Sequence, residues 1–493
     1  VKSATKTLWL GVTAFFLFSI PYFSSLTNSW NRLEITWTRS DPFAVAFLLL
    51  LGGGALSLAV VFVRRLVPPE SLRDKLLLFF LFVVIWPGVN AVSVVKNILA
   101  VFPGAAALQS RAALFFRSEE ILKILLIGFY GYMALRLSNQ AKKLAVIVLK
   151  IFSPAVLIFL VQLFWYPVIP TGAGEIPSAP ILAPGKTPVF FYLFDECSYG
   201  HAMVSGNPAP GLLALSEISR QSFVFHRAFS PGNVTNESVP RILGEFHFDP
   251  ASKEYNVNNS VFQDAYAAGW KNYLVGCYLP YALWFKGVSE FSRQVPAYKA
   301  PEGGFFNDLL SHAVLDANFS LIHWNAKLAE FVYEPYAVMV QKKRVDYCVA
   351  LAKDVEEISG AGTFAYFHFS LPHDPFINVK ADSSPSAGYF SNIVISDRIL
   401  GDLMQILKKR GIWDRSLVIV TSDHGWKKDP QVAALSSPDD REALLRHVPL
   451  FVKLPGQGAR RDVATIFPTE NLKKLLETFF RGDRRGGILS LGQ

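Results

Sequence analysis

The sequence predicts a chain in two parts: a helical bundle of five membrane spans over residues 1–168, then an α/β domain on a doubly wound sheet over residues 188–493, joined by a linker over residues 169–187. Three observations predict this. Hydrophobic residues make up 51% of the 493, and the excess is concentrated before residue 170. The junction carries Pro167, Pro170, Pro177, Pro180, Pro184 and Pro188, a spacing through which no helix continues. Beyond it, short runs of β-branched and aromatic residues alternate with stretches of helical periodicity.

A bilayer-crossing helix needs about 20 apolar residues. Five segments meet that requirement: Leu8–Leu26, Phe43–Val63, Leu76–Val95, Ile121–Leu137 and Leu144–Val168. The fourth is the shortest and carries Lys123, a side chain that faces the bundle or snorkels to the interface. The first has no small-residue cleavage site and is followed by further spans, so it reads as an anchor rather than a signal peptide. Lys2 and Lys6, then Arg64, Arg65, Arg73 and Lys75, then Arg136, Lys142 and Lys143 fall on alternate loops. The excess of basic residues in cytoplasmic loops therefore places the N-terminus inside and everything after the fifth span outside. Trp9, Trp30, Trp86 and Trp165 lie near span ends, where interfacial anchoring and core packing are both open.

The net charge of +9 is carried largely by these flanking loops. No basic run with interleaved aromatics occurs, so nucleic acid is excluded as the expected partner. Cys197, Cys277 and Cys348 are too few for a disulfide framework, although one pair remains open in an oxidising compartment.

In the outer domain, Val189–Phe194 is a continuous apolar run ending at Asp195 and Glu196, as expected of a strand buried on both faces of a parallel sheet. Thr363–Phe369, Ser416–Thr421 and Pro449–Leu454 are expected to add further strands, and Asn392–Lys409 and Asn471–Phe480 to form helices. Functional residues of such sheets gather beyond the carboxyl ends of the strands. Two of those ends carry hard ligands. The first stops at Asp195-Glu196, the third at Ser422, Asp423, His424 and Gly425. Carboxylates and imidazole at an open sheet edge suit a divalent cation, although an acidic pair after a strand also suits helix capping.

The run Val418–Gly425 closely resembles the signature strand and turn of the sulfatase-like branch of the alkaline phosphatase superfamily. Tyr389–Asn392, Asp397, Gly401–Leu403, Leu407 and Gly411–Asp414 are similar to the helix that approaches it. Ser370–Phe376 resembles the segment with a substrate-facing histidine, His447–Gly456 the strand after the metal turn, and Phe467–Thr469 the entry to the closing helix. With five spans in front, the architecture resembles the membrane phosphoethanolamine transferases and lipoteichoic acid synthases. Those transferases usually carry several disulfides and extra donor-site histidines, which this chain does not match.

The resemblance implies a metal site of Asp195 or Glu196 with Asp423, His424 and a nucleophile at a helix start, where the dipole favours anionic oxygens. Two hydroxyls compete. Thr235 stands five residues before Pro240, as in the phosphoethanolamine transferases, whereas Ser238 stands two before it, as in sulfatases, with Arg241 one place too early for the sulfatase pattern. Thr235 also suits a plain helix cap. His373 is implied as a ligand of the substrate oxyanion or a proton donor, with Asn233, Ser238 and His447 as further substrate contacts. His368 reads as a core histidine and Cys197 as a buried inert thiol.

The resemblance further implies a metal-dependent transferase. It would move a phosphoethanolamine- or phosphoglycerol-type headgroup from a membrane lipid donor to a glycan, glycolipid or polymer acceptor through a phospho-threonine. The chain would reside in a bacterial inner or cytoplasmic membrane, its catalytic domain on the periplasmic or extracellular side. A membrane sulfatase or phosphodiesterase is the alternative, and a non-catalytic lipid-sensing or assembly homologue a second. His424 favours zinc or manganese over magnesium or calcium. Oligomeric state is left open.

Overall fold

The structure is a computed structural model that describes residues 2–27, 37–66, 138–165, 168, 172–177, 185–244, 248–249, 254–255, 259–301, 304–322, 326–377 and 384–482. The chain forms two compact units, residues 1–32, 37–168 and 302–336 in the first, and 33–36, 169–301 and 337–493 in the second. Residues 302–336 thus group with the N-terminal helices, where the sequence division had assigned them to the outer domain.

In the first unit the described helices are α1 (Lys2–Phe18), α2 (Ile20–Thr27), α3 (Asp41–Leu66) and α4 (Ser138–Trp165). One of the five expected spans, Asp41–Phe62 within α3, forms a helix long and apolar enough to cross a bilayer among the described residues. Leu8–Phe18 and Leu149–Trp165 are shorter apolar helices. The expected spans Leu76–Val95 and Ile121–Leu137 lie outside the described residues. The first expected span is broken into α1 and α2 at Ser19, next to Pro21, whose missing N–H leaves the Leu17 carbonyl without its helical donor.

The second unit is built on a nine-stranded sheet. Its strands, in chain order, are β1 (Gly172–Ala173), β2 (Val189–Asp195), β3 (Phe223–Phe225), β4 (Lys271–Cys277), β5 (Phe291–Val295), β6 (Thr363–Pro372), β7 (Leu417–Ser422), β8 (Leu450–Lys453) and β9 (Arg461–Val463). In space they run β1-β5-β4-β6-β2-β7-β8-β3-β9. The middle, β5-β4-β6-β2-β7, is parallel throughout. The expected strand at 449–454 is present as β8, but it runs antiparallel to β7 and to β3. Antiparallel neighbours need no crossover helix, so its short apolar sequence is compatible with either direction.

Every residue of β2, β6 and β7 is buried, which explains why these strands read as unbroken apolar runs. Aromatic rings fix the β2–β6 register. Tyr192 stacks on Phe367 and Phe194 on Phe369, each pair 5.5 Å between centroids and each a register pair. Such pairs contribute about 0.5–1.5 kcal/mol beyond the area they bury. The helices that matter for the site are α5 (Leu213–Ser219), α6 (Thr235–Leu243), α7 (Phe305–Leu321), α8 (Ala326–Ile358), α9 (Pro385–Lys409) and α10 (Asn471–Phe480). On α9, Asp397 accepts the N–H groups of Ala214 (3.1 Å) and Leu215 (2.8 Å), holding the start of α5. All three cysteines are buried and free, with the Cys277 and Cys348 sulfurs 3.3 Å apart.

The aromatic ladder generates a stability prediction. Phe367→Ala removes a fully buried ring that stacks on Tyr192. It is expected to lower unfolding free energy by about 3–5 kcal/mol, read as a shifted denaturation midpoint in detergent. A loss under about 1 kcal/mol counts against the ladder as a determinant of register.

Candidate active site

The site begins with strand register. Phe194 on β2 pairs with Ser422 on β7, so the next residues, Asp195 and Asp423, leave adjacent parallel strands at the same level. Both are fully buried. Asp423 Oδ1 accepts the N–H of Glu196 at 3.0 Å and of His424 at 2.8 Å. The Ser422 hydroxyl accepts the Cys197 N–H at 2.8 Å and lies 2.7 Å from the Phe194 carbonyl, which ties the two turns together. One donor atom each from Asp195, Asp423 and His424 lies within 4.8 Å of the other two.

His424 is oriented for ligation. Its Nδ1 lies 2.9 Å from the Gly425 carbonyl, and that acceptor requires the proton on Nδ1. The Nε2 lone pair is thereby left facing the cluster, 3.4 Å from Asp423 Oδ2 and 3.9 Å from Asp195 Oδ1. The second oxygen of each aspartate, Asp195 Oδ2 and Asp423 Oδ2, is buried with no hydrogen-bond partner. Orphaned buried carboxylate oxygens are costly unless something positive satisfies them. Two such oxygens and an imidazole lone pair fit a divalent cation.

The electrostatics agree. Burial, followed by the neighbouring Asp423 and Glu196 carboxylates, pushes the Asp195 carboxyl well above its ordinary range. Burial also acts against the charged form of Asp423, but the nearby His424 and His368 outweigh it and hold that carboxyl below the usual value. A cation in their midst favours both carboxylates in the charged form.

Thr235 is the first residue of α6, which follows an extended Val234. Its Oγ1 lies 3.4 Å from Asp195 Oδ1 and 3.3 Å from His424 Nε2. Ser238, one turn later, is fully buried and donates its hydroxyl to the Asp423 main-chain carbonyl at 2.5 Å. The two hydroxyls left open by the sequence thus occupy different environments: Thr235 faces the carboxylates and is partly exposed, whereas Ser238 braces the turn behind them. Asn233 lies half-buried in the segment entering α6.

The structure separates Asp195 from Glu196. Glu196 has a left-handed backbone, φ +63°, and its carboxylate joins a second group with His373 and Asp374. Glu196 Oε1 lies 3.7 Å from His373 Nε2 and 3.6 Å from Lys427 Nζ. His373 is partly exposed. His447 stands elsewhere: stacked on Tyr199 at 4.2 Å, its Nε2 2.9 Å from the His226 carbonyl. That contact and stacking give it a structural partner set. The Cys197 thiol is pushed up to about 12, first by burial and then by Asp423, in keeping with an inert group.

Three residues near the site carried no sequence signal. His368, read as a core histidine, is fully buried with Nδ1 2.7 Å from the Tyr281 hydroxyl, but its Nε2 has no partner. Burial drives it down to about 4. Tyr278, at φ +66°, packs its ring 5.9 Å from His373, and its hydroxyl is buried without a partner. Lys427 supplies the cation beside Glu196.

An α/β sheet with a buried carboxylate–imidazole cluster and a hydroxyl at a helix start defines a metal-dependent enzyme acting on an anionic group, a hydrolase or a transferase. Residues 188–477 match the model of the Sulfatase family, and the chain belongs to that family, whose members use divalent metals. No curated protein matches the chain. Among solved structures, it is similar to a sulfatase from Pseudoalteromonas sp. at 15% identity and TM-score 0.42, covering 65% of this chain and 77% of that one. It is similar to a phosphonate monoester hydrolase of Agrobacterium radiobacter at 14% and 0.40, covering 60% and 74%. It is also similar to the lipoteichoic acid synthase LtaP from Listeria monocytogenes at 13% and 0.38, covering 58% and 70%.

The separation of the two acidic neighbours gives a metal test. Asp195→Asn and Asp423→Asn are each expected to strip the purified chain of its bound divalent metal, read by elemental mass spectrometry. Glu196→Gln is expected to retain it. Equal metal loss from Glu196→Gln and Asp195→Asn would mean that the two clusters act as one site.

Proposed function

We propose that the chain is a membrane phosphotransferase that takes a headgroup from a phospholipid and passes it to a glycan, glycolipid or polymer of the cell envelope. The observation that carries this reading is the position of Thr235. Its hydroxyl is the one that faces Asp195 and His424, while Ser238, the position that a sulfatase-type nucleophile would take, is committed to the Asp423 carbonyl. The apolar helix Asp41–Phe62 supports placement in a membrane, and a lipid donor accounts for such an anchor better than a soluble ester does. The proposed orientation puts the N-terminus inside and the catalytic unit outside.

In this mechanism Asp195, Asp423 and His424, with the Thr235 hydroxyl beside them, would hold a divalent ion, zinc or manganese by the imidazole in the set. The ion, when bound, supplies Lewis acidity and a lowered hydroxyl pKa. Thr235 Oγ1, which is partly exposed, gives its proton to water, which returns it when Thr235 is regenerated, and bonds to the donor phosphorus as the bond from phosphorus to the diacylglycerol oxygen breaks. The departing alkoxide takes a proton, for which His373, partly exposed and set between Glu196 and Asp374, is the assigned donor. The N–H groups at the start of α6 face the phosphoryl oxygens and favour their charge. An acceptor hydroxyl then attacks the phospho-threonine, its proton returns through His373, and Thr235 is regenerated.

The experiment is to incubate the full chain with vesicles of phosphatidylethanolamine and phosphatidylglycerol and look for a covalent adduct by peptide mass spectrometry. The expected adduct is on Thr235. Thr235→Ala is expected to abolish it and to lower turnover by at least about a thousand-fold, as loss of a covalent nucleophile does, while metal remains bound with reduced affinity. Conversion of Ser238, with Thr235→Ala still active, would move the sulfatase reading ahead. Topology is checked separately: a protease-sensitive tag after Gln493 is expected to be cleaved from the outer side of intact cells, and a protected tag would reverse the orientation.

A further inference from the structure

Helix α7 is built inside out for a soluble protein. Its buried positions are Asp308, Ser311, His312, Leu315 and Asp316, one helical face that is almost wholly polar. Among its described side chains, the exposed ones are Phe306, Leu310 and Phe319, all apolar, with Phe306 81% exposed. A surface helix of a water-soluble unit shows the reverse pattern. Every ionisable side chain between residues 304 and 322 is turned inward: Asp308, His312 and Asp316.

The inward face meets the N-terminal helices through hydrogen bonds. Ser40 donates to Asp308, and Ser19 donates to Asp316 at 2.8 Å. His312 Nε2 lies 2.9 Å from Asp41 Oδ1, while its Nδ1 meets the Tyr22 hydroxyl. Internal pairing of ionisable groups is the arrangement they take when water is absent outside. The outward apolar face is continuous with that of α3. Phe305 packs edge-on to Phe47 of α3 at 5.7 Å and lies 5.5 Å from Phe306. Phe47, Leu50 and Leu58 are themselves exposed along the helix that is long and apolar enough to cross a bilayer.

We infer that the outer face of α7 contacts lipid hydrocarbon, so that the chain returns to the membrane between β5 and β6. Resting on the membrane placement proposed above, this adds a second point of bilayer contact inside the catalytic sequence. At 17 residues α7 is about 26 Å long at 1.5 Å per residue, shorter than the bilayer core, which suits partial entry rather than a span. The lipid is the committed occupant because the apolar face of α7 runs on from α3.

The test uses the full chain in phosphatidylethanolamine–phosphatidylglycerol vesicles, spin-labelled one site at a time at Phe306→Cys, Leu310→Cys and Phe319→Cys. The native thiols are buried, and unmodified chain serves as the labelling blank. Leu50→Cys on α3 and Leu213→Cys on the surface of the second unit are the reference sites. Collision with oxygen is expected to exceed collision with a water-soluble nickel chelate severalfold at all three sites, as at Leu50 and unlike Leu213. Nickel-accessible labels at 306, 310 and 319 with lipid-exposed Leu50 would overturn the inference alone. Labels inaccessible to both reagents would overturn it in favour of a protein cover, such as a second copy. Nickel access at Leu50 as well would instead remove the membrane placement on which it rests.

Discussion

The pairing of β2 with β7 is the constraint on which the site depends. Parallel strands in register stand about 4.8 Å apart, and the Phe194–Ser422 pair sets Asp195 and Asp423 at the same height on two such strands. Two carboxylates brought together in a fully buried place repel each other and lose their water. The fold answers half of this cost by itself: Asp423 Oδ1 takes two main-chain N–H groups and remains charged. The other half is left standing in Asp195, whose carboxyl is pushed upward, and in two oxygens without partners. The rest of the site is arranged about that deficit, with the His424 lone pair and the Thr235 hydroxyl both directed into it.

Neighbouring residues in this site have separate tasks because backbone geometry sends them in different directions. The left-handed turn at Glu196 breaks the alternation of the strand, so its carboxylate departs from Asp195 to meet His373 and Lys427. Its main-chain N–H nonetheless stays in the cluster as a donor to Asp423. A similar division separates Thr235 and Ser238. Both lie near the Asp423–His424 turn, but Thr235 meets side chains and Ser238 meets the main chain. A braced turn cannot drift, and His424 is further locked by its own bond to Gly425. Pre-organisation of this kind fixes the Thr235 hydroxyl relative to Asp195 and His424 without any reordering of the turn.

What the sequence made legible were features with a local signature. Buried parallel strands are continuous apolar runs, and hard polar residues at their ends stand out against them, so β2, β6, β7 and the Asp195, Asp423 and His424 positions could be read directly. The direction of β8 could not, because four apolar residues look the same running either way. Nor could the tasks of Ser238 and Glu196, since each depends on which way a turn points its side chain. Tyr278 directly follows β4 and His368 lies within β6, with no local signature of a site at either, and only the sheet order β4-β6-β2 brings them near Asp195. Helix α7 presents the same difficulty in another form. Its period announces two faces, polar and apolar, but periodicity does not say which face is inside.

That ambiguity bears on how a catalytic sequence can be joined to a membrane. Residues 302–336 lie within the stretch that matches the family model, between strands of the sheet, yet they group with the N-terminal helices. The boundary between the units falls within α8, beside Pro335, where the helix continues although one of its residues cannot donate an N–H. The chain therefore passes between the two units a second time, inside the family-matched stretch and along one continuous helix. The polar contacts of Asp308, His312 and Asp316 with the N-terminal helices are what hold residues 302–336 in the first unit: buried ionisable groups that have found partners there cannot leave them without losing those bonds.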